Sequence, residues 1–184
     1  MDNSVIINSP DSITIQGRYD FGGVNSDMGK FYYYNQNIKG SYKAFARVHN
    51  NIGSSPNGKV ILMYSDIANG VKTGGLPIHY ISASHGEITF YSRISKGQRT
   101  QNIASIAISA YPCWLYLEKN GSTVIAKYSL QDENTEIQNI NWIELGSVSN
   151  AFAGWTNIKK GLGVSSGTEN YSSATISNFR TQAL

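Results

Sequence analysis

The chain has 184 residues, of which 15% are charged and 11% aromatic, and its formal net charge is only +3. Because this charge is small and Lys159-Lys160 is the only basic pair, the composition argues against nucleic-acid binding. The single cysteine, Cys113, excludes an internal disulfide and a cysteine-ligated zinc site, and beside Trp114 it is expected to be a buried, inert thiol.

No targeting or membrane-spanning segment is recognisable. The chain does not resemble a signal peptide at its start, and no apolar run approaches the length that crosses a bilayer. We therefore expect a mature domain, an excised module or a cytoplasmic protein, without membrane insertion.

Short β-prone runs, separated by turns rich in Gly, Pro, Asn and Asp, recur along the whole chain. No window shows sustained helical periodicity, and Asp66–Val71 and Ile137–Ile140 would each form at most one helical turn. The pattern predicts an all-β fold of about a dozen strands with almost no helix. In chain order the predicted strands are Val5–Ile7, Ile13–Ile15, Phe31–Tyr34, Tyr42–Val48, Val60–Tyr64, Ile78–Ile81, Ile88–Ile94, Ile103–Ile108, two runs within Pro112–Ser129, Trp142–Leu145, Leu162–Val164 and Ala174–Phe179.

The alternation within these runs indicates sheets with one buried face. In Tyr42–Val48 the residues Tyr42, Ala44, Ala46 and Val48 share one side of the strand. The spacing is typical of a sandwich of two antiparallel sheets, and no change of composition marks a linker. We expect residues 1–184 to form a single β-sandwich domain.

The strongest local signal is a β-hairpin over Pro112–Ser129. Leu115 and Leu117 alternate with polar-tipped neighbours, and Asn120-Gly121 then offers the two positive φ angles of a type I′ turn. A second β-rich run, Thr123–Ser129, follows. We place this hairpin in the middle of a sheet.

Several segments, in order, resemble the concanavalin-A-like, laminin-G-like jelly-roll modules of bacterial proteins. The family pattern Pro-x-Trp-Leu-Arg-Leu, a Gly turn and Tyr-x-Ser is similar to the hairpin, and Trp-x-x-x-Gly, Gly-Leu-x-Val-x-Ser and Ala-x-Phe-x-Asn-Val follow. Upstream, three further segments are similar to the family's Ala-Arg-Val, Leu-Met-x-Arg-Asp and Phe-x-Tyr-Arg strands. The matching positions are Pro112–Ser129, Trp142–Gly146, Gly161–Ser166, Ala174–Phe179, Gly40–Val48, Leu62–Asp66 and Phe90–Arg93.

The chain departs from the family pattern at positions that carry polar side chains. Ser65 and Tyr116 stand where the family has arginines, Gly167 replaces a histidine, and only Arg93 of the arginine set remains. If the family's arginines help to form its ligand face, that face is changed in this chain. The resemblance implies a concanavalin-A-like jelly roll appended to a secreted glycoside hydrolase or surface protein, where such modules are thought to bind carbohydrate.

Glucanases with this fold need two carboxylates about 5 Å apart on one strand face. Their alternating Glu-x-Asp-x-Glu strand is absent, and the acidic cluster Asp132–Glu136 is typical of a solvated loop. The three histidines, His49, His79 and His85, lack metal spacing and a neighbouring carboxylate. The sequence thus predicts a protein that is not an enzyme.

Sugar binding needs aromatic rings for stacking and planar polar groups for the hydroxyls. If Leu115 and Leu117 point inward, their neighbours on the hairpin point outward, and the same holds beside Ile88 and Phe90. In a jelly roll two such strands could share the concave sheet. The predicted carbohydrate-binding surface contains Tyr91, Arg93, Trp114 and Tyr116, with Met63 and Ser65 alongside.

Two tryptophans have alternative interpretations. Trp114 and the tyrosines would otherwise be buried under a loop, with Arg93 paired to Glu118. Trp155, in the loop segment Ala151–Asn157, is either a plug under its loop or a fifth binding residue.

No cofactor or metal site is predicted. Superfamily members often hold a structural calcium ion, but the oxygen ligands Asp20, Asn25 and Asp27 match no calcium motif. The expected partners are a glycan or polysaccharide and a covalently linked catalytic domain in a parent protein.

The function expected from these observations is that of a non-catalytic carbohydrate-binding module, extracellular or at a cell surface. One alternative is a structural or adhesion module of a bacterial surface protein or phage tail. Another is a glycoside hydrolase of the glucanase-like type.

Overall fold

The computed structural model describes residues 5–9, 11–17, 30–33, 37–50, 52–53, 58–66, 75–109, 111–132 and 135–184. These residues form strands and one short 3-10 turn, Ile137–Asn139, so the prediction of an all-β chain with almost no helix is confirmed. In chain order the strands are β1 (Val5–Ser9), β2 (Ser12–Gly17), β3 (Lys30–Tyr33), β4 (Tyr42–Val48), β5 (Ile52–Gly53), β6 (Lys59–Asp66), β7 (Ile78–Ser84), β8 (Glu87–Arg93), β9 (Gln101–Ala107), β10 (Cys113–Asn120), β11 (Thr123–Ser129), β12 (Ile143–Val148), β13 (Ile158–Ser165) and β14 (Ser172–Ala183).

The strands pair antiparallel in two sheets. The eight-stranded sheet has the order β1-β2-β14-β4-β10-β11-β12, with β5 also paired to β14. The six-stranded sheet has the order β3-β13-β6-β7-β8-β9. Sequential hairpins build β6 to β9, whereas β13 and β14 return from the end of the chain to the middle of each sheet.

The core lies between the two sheets. Leu115 and Leu117 on β10 meet Leu62, Ile81 and Phe90 of the six-stranded sheet in one cluster of buried residues. Each fully buried aliphatic side chain contributes about 1.5–3 kcal/mol. The alternation on β4 is confirmed as well, because Ala44, Ala46 and Val48 belong to this cluster.

The hairpin lies inside the eight-stranded sheet as predicted, but its turn differs by one residue. Asn120 pairs with Thr123, so the two-residue connection is Gly121-Ser122. Gly121 has φ +59°, whereas Asn120 and Ser122 do not adopt positive φ. A glycine at the first central position fits a type II′ turn, and the predicted type I′ turn at Asn120-Gly121 is wrong because Asn120 continues the strand pairing.

Parts of the outer faces of both sheets are buried too. On the eight-stranded sheet Phe45, Trp114 and Tyr116 form a cluster with Ile140. The Trp142 ring packs on this cluster, 4.7 Å from Tyr116 and 5.8 Å from Phe45 between centroids. The described residues 135–142 therefore lie over this part of the face.

Gln131 holds that covering segment in place. Its backbone oxygen accepts a 3.2 Å hydrogen bond from the indole N–H of Trp114, and its side-chain oxygen accepts one of 2.5 Å from the Asn141 N–H.

The six-stranded sheet has a buried cluster on its outer face as well, formed by Ile61, Met63, Ile78 and Tyr80. The alternation of apolar and polar residues predicted which side chains point into the core, but not that side chains on the outer faces would be buried as well.

Cys113 is a free, buried cysteine, as expected. Burial raises the pKa of its thiol to about 12, against a smaller opposing effect of the Arg47 charge. Such a thiol is protonated at neutral pH and is therefore a poor nucleophile.

Candidate functional site

A cleft of about 370 Å³ opens at one end of the sandwich, beside the last residue of β6. Its walls come from chain segments that are far apart in sequence and meet only in the fold. They are Asp66, Leu76–Pro77, Ile94–Lys96 and Ala153–Trp155. The cleft thus contains Trp155, one of the five predicted binding residues.

Trp155 is held rigidly in the cleft wall. Its indole N–H donates a 2.8 Å hydrogen bond to the Ile94 carbonyl. One ring face stacks on His79, with centroids 4.7 Å apart and planes within 4°, and Phe152 meets it edge-on at 5.1 Å. The ring is half-buried and lines the cleft, so Trp155 is both a packed residue and an accessible one.

His79 supports the tryptophan from inside the core. Its Nε2 lies 2.8 Å from the Ala151 carbonyl, which can only accept, so this nitrogen carries the proton. Nδ1 then accepts the hydrogen bond from the Ser92 hydroxyl, 3.0 Å away. Burial lowers the pKa of His79 to about 4, and the bond to Ala151 offsets this only in part. The imidazole is therefore neutral at physiological pH.

Asp66 anchors the loop that carries Trp155. Its two carboxylate oxygens accept hydrogen bonds from the backbone N–H groups of Thr156 (3.2 Å) and Asn157 (2.8 Å). Its own backbone N–H donates to the Pro77 carbonyl at 3.1 Å. Asp66 thus ties two walls of the cleft together, one through its carboxylate and the other through its backbone N–H, and its side chain lines the cleft.

A tight turn forms the next wall. The Gln98 N–H donates to the Ser95 carbonyl, and the Gly97 N–H donates across the cleft to the Gly75 carbonyl at 2.9 Å. Gly97 has φ +78°, the conformation that a type II turn requires at its third residue. Lys96 is consequently exposed at the crest of the turn.

The other predicted residues do not share one surface. Tyr91 and Arg93 lie on β8 of the six-stranded sheet, whereas Trp114 and Tyr116 lie on β10 of the eight-stranded sheet. Each pair points away from the core, so the two pairs face opposite sides of the sandwich. The prediction that these strands share a sheet is wrong, because the hairpin β10–β11 pairs with β4 rather than with β8.

Trp114 and Tyr116 are closed off from solvent. Trp114 is 1% exposed and Tyr116 is 7% exposed, under residues 135–142. The Tyr116 hydroxyl donates to Glu118 at 2.9 Å, and Glu118 also accepts from Lys127 at 3.1 Å. Arg93 therefore does not pair with Glu118, and Trp114 matches the alternative interpretation of burial under a loop.

Arg93 and Ser65 build the cleft instead of lining it. Arg93 is 1% exposed, and its Nε donates to the Leu76 carbonyl at 2.7 Å. The Ser65 hydroxyl donates to the Pro77 carbonyl at 2.9 Å. Both side chains thus fix the Leu76–Pro77 wall.

Tyr91 and Met63 lie away from the cleft. The half-buried Tyr91 stacks on Tyr80 at 4.8 Å, with Lys59 Nζ 5.3 Å from its ring, and Met63 is fully buried.

Asp66 and Lys96, which the sequence analysis does not assign to a site, do line the cleft. The sequence does place Asp66 at the end of a strand and Lys96 in a Ser-Lys-Gly turn. It does not show that these two positions lie beside Trp155, because that depends on the order of the strands in the sheet.

No group of three or more His, Cys, Asp or Glu side chains that could hold a metal ion occurs among the described residues. Asp20, Asn25 and Asp27, considered for calcium, lie outside that part of the chain, as do residues 67–71 of one predicted helical turn. No helix in the described ranges is both long and apolar enough to cross a membrane.

The chain matches no protein-family model and no curated protein. Solved structures do resemble it. A GH43 protein, BlXynB from Bacillus licheniformis, has a TM-score of 0.63 at 15% identity, covering 97% of this chain and 34% of that chain.

Two further structures are similar over nearly their whole length. Alginate lyase A1-II' has a TM-score of 0.63 at 9% identity, covering 100% of this chain and 85% of the lyase. The exoplasmic/lumenal domain of VIP36, bound to Ca²⁺ and Man3GlcNAc, has a TM-score of 0.61 at 8% identity, covering 100% of this chain and 82% of that domain. At these identities the likeness concerns the fold, an all-β jelly-roll sandwich.

Proposed function

We propose that this chain, a concanavalin-A-like jelly roll, is a non-catalytic carbohydrate-binding module whose sugar site is the cleft beside Trp155. The observation that carries the proposal is the rigid presentation of one tryptophan ring in a cleft of about 370 Å³. Carbohydrate-related proteins recur among the structures of this fold, a lectin domain, a GH43 protein and an alginate lyase among them.

The chemistry of the cleft suits a pyranose ring. The C–H face of a sugar packs on an indole, and nearby polar groups bond its hydroxyls. Trp155 is already fixed by His79 and the Ile94 carbonyl, so it loses little conformational entropy on binding. Asp66, Ser95 and Lys96 supply acceptors and donors at the rim.

The role of a targeting module fits the way in which the GH43 protein relates to this chain, which corresponds to 34% of that larger protein. In this proposal the module binds a glycan and brings a linked catalytic domain to it. Such a role belongs outside the cell or at its surface, and that location is part of the proposal.

An enzymatic role is the alternative to binding, because an alginate lyase and a GH43 protein are among the structures of similar fold. It is tested by incubating the protein with polysaccharides and measuring new reducing ends and the ultraviolet absorbance of unsaturated products. Release of oligosaccharides that Trp155→Ala abolishes would replace the binding role with an enzymatic one. A structural or adhesion module would bind no glycan and would bury a partner chain instead.

The direct test makes the same substitution, tryptophan to alanine, at two positions. We expect Trp155→Ala to weaken glycan binding about tenfold or more, a loss of about 1.4 kcal/mol, because the stacking surface is removed. Trp142→Ala, which truncates a half-buried ring on the opposite sheet, is expected to leave binding unchanged. Glycan arrays identify the ligand and calorimetry gives the affinity.

The unfolding curve of each variant separates lost binding from lost folding. If Trp155→Ala does not fold, Trp155→Phe keeps a ring in the cleft and should retain part of the affinity. Equal losses in Trp155→Ala and Trp142→Ala, or no binding to any glycan, would overturn the proposal.

A further inference from the structure

A second, open hollow of about 680 Å³ lies on the same β8–β9 hairpin as one wall of the cleft. It is lined by the consecutive residues Gln98–Asn102. All five side chains carry an amide, hydroxyl or guanidinium group, whereas the cleft beside it contains the Trp155 ring. The two hollows therefore offer different chemistry to one bound molecule.

The two hollows are neighbours across a single turn. Lys96 lines the cleft and Gln98 lines the open hollow, and two residues span at most about 7 Å of chain. The hydrogen bonds from Gln98 N–H to Ser95 and from Gly97 N–H to Gly75 fix the crest between them. The polar hollow thus begins within about 7 Å of chain from the Lys96 wall of the cleft.

The charge along this path is positive. Lys96 and Arg99 are exposed, and neither makes an ion pair within the described ranges. Asp66 is the sole acidic residue among the described residues that line the two hollows, and both of its oxygens already accept backbone hydrogen bonds. An arginine fork pairs well with a carboxylate, and the neighbouring amides bond hydroxyls.

From this arrangement we infer that the ligand is an acidic glycan of at least two sugar units. One unit packs on Trp155, and the carboxylate of the same or the next unit meets Lys96 and Arg99. This inference rests on the proposed sugar site and adds the chemical class of the ligand and a second subsite.

The test uses pairs of polymers that differ only in charge. Each uronic-acid polysaccharide of a panel is assayed beside its own carboxyl-reduced, neutral form. We expect the best-bound member to lose about tenfold in affinity on reduction, and its binding to weaken with added salt because the charges are exposed.

A matched pair of variants locates the charge effect. Arg99→Gln and Arg180→Gln remove the same charge, but Arg180 lies on β14 of the other sheet in an exposed pair with Asp11. We expect Arg99→Gln to weaken binding of the acidic form several-fold and to leave the neutral form unchanged. Arg180→Gln is expected to bind like the unmodified protein.

The outcomes separate this inference from the proposed function. Binding that depends on Trp155 but is equal for acidic and reduced polymers would overturn the acidic ligand and leave the sugar site standing. Equal losses of affinity in Arg99→Gln and Arg180→Gln would mean that binding responds only to the net charge of the protein, and would overturn the second subsite. Failure of both polymer forms to bind would overturn the acidic ligand, whereas the sugar site itself is overturned only if no glycan of the array binds.

Discussion

At the scale of single residues, the stacked pair of His79 and Trp155 joins the stability of the core to the proposed site. The imidazole is fully buried, donates to Ala151 and accepts from Ser92. Protonation of His79 would place a charge in the core and reverse the hydrogen bond with the Ser92 hydroxyl, directly beneath the Trp155 ring.

His79 makes stability depend on pH. Its pKa is about 4 in the folded protein and 6.5 when unfolded, so the unfolded chain takes up the proton first as the pH falls. Stability due to the neutral imidazole is complete above pH 6.5 and decreases by about 3 kcal/mol between 6.5 and 4. Urea unfolding across this range should show the decrease, and His79→Gln should lack that part of it.

His85→Gln is the control, because His85 is exposed in the turn before β8. It should keep the pH dependence of the unmodified protein. If His79→Gln loses as much stability on acidification as the unmodified protein, another group is responsible.

Tyr42 and Lys160 form a second unusual pair at the residue scale. Lys160 is 2% exposed, its Nζ donates to the Tyr42 hydroxyl at 2.5 Å, and it lies 4.0 Å from the centre of that ring. Burial acts to raise the pKa of Tyr42, but the hydrogen bonds with Lys160 and Thr181 and the charge of Lys160 outweigh it and lower the pKa below 10.0.

Removing the lysine charge should reverse the sign of this shift. We expect Lys160→Met to raise the pKa of Tyr42, because burial is then opposed only by the smaller effect of the hydrogen bond with Thr181. NMR of the tyrosine ζ carbons during a pH titration reads the pKa directly, with Tyr42→Phe identifying the signal. Lys159→Met removes the neighbouring charge from the same strand, and an equal shift there would contradict the assignment to Lys160.

These residues also show where local patterns stop being informative. Trp114 and Trp155 are both tryptophans beside polar neighbours, yet one lies under a loop and the other lines a cleft. The difference depends on Gln131 and Ile94, which are 17 and 61 positions away in the chain. A contact at that separation leaves no trace in the alternation around either tryptophan.

At the scale of elements, the β10–β11 hairpin shows how a turn is chosen by more than its own two residues. Ser41 Oγ accepts the Gly121 N–H at 3.1 Å, and Lys119 Nζ donates to the Gly121 carbonyl at 2.8 Å. These bonds surround the glycine and match the pairing of Asn120 with Thr123. The strand limits were well predicted here, because alternation ends where the glycine begins.

Gly121→Ala should be destabilising through the backbone alone. Gly121 has φ +59°, and a Cβ there would meet no atom within 4 Å. The left-handed conformation then costs about 1–2 kcal/mol for alanine, visible as a lower urea midpoint. Ser122→Ala in the same turn should change stability by less than about 0.5 kcal/mol.

A cost for Gly121→Ala no larger than that for Ser122→Ala would contradict the assigned turn. It would favour a connection in which the positive φ falls elsewhere.

At the scale of the whole molecule, the inner faces of the two sheets supply one continuous core, and Leu117 lies near its middle. The residue is fully buried in the interior of the eight-stranded sheet. Leu117→Ala should cost about 2–5 kcal/mol, because it loses buried surface and leaves a cavity. Leu130→Ala, at a residue that is 50% exposed, should cost less than about 0.5 kcal/mol.

Denaturant unfolding of the two leucine variants measures both costs with the same substitution. Similar losses in both would mean that the packing between the sheets contributes less than its burial indicates.

The sandwich architecture followed from strand spacing and alternation, but the assignment of strands to sheets did not. β8 and β10 carry the same outward pattern of aromatic and charged residues, although they belong to different sheets. Periodicity identifies the two faces of one strand, whereas strand order depends on which hairpins pair, and that information is distributed over the whole chain.

The position of the three tryptophans has a practical consequence. Trp114 is buried under its loop, and Trp142 packs on the eight-stranded sheet, so of the three only Trp155 lines the cleft proposed as the sugar site. Tryptophan fluorescence should therefore respond when a ligand occupies this cleft. A change of emission on adding a glycan, absent in Trp155→Phe, would report filling of the cleft without any label.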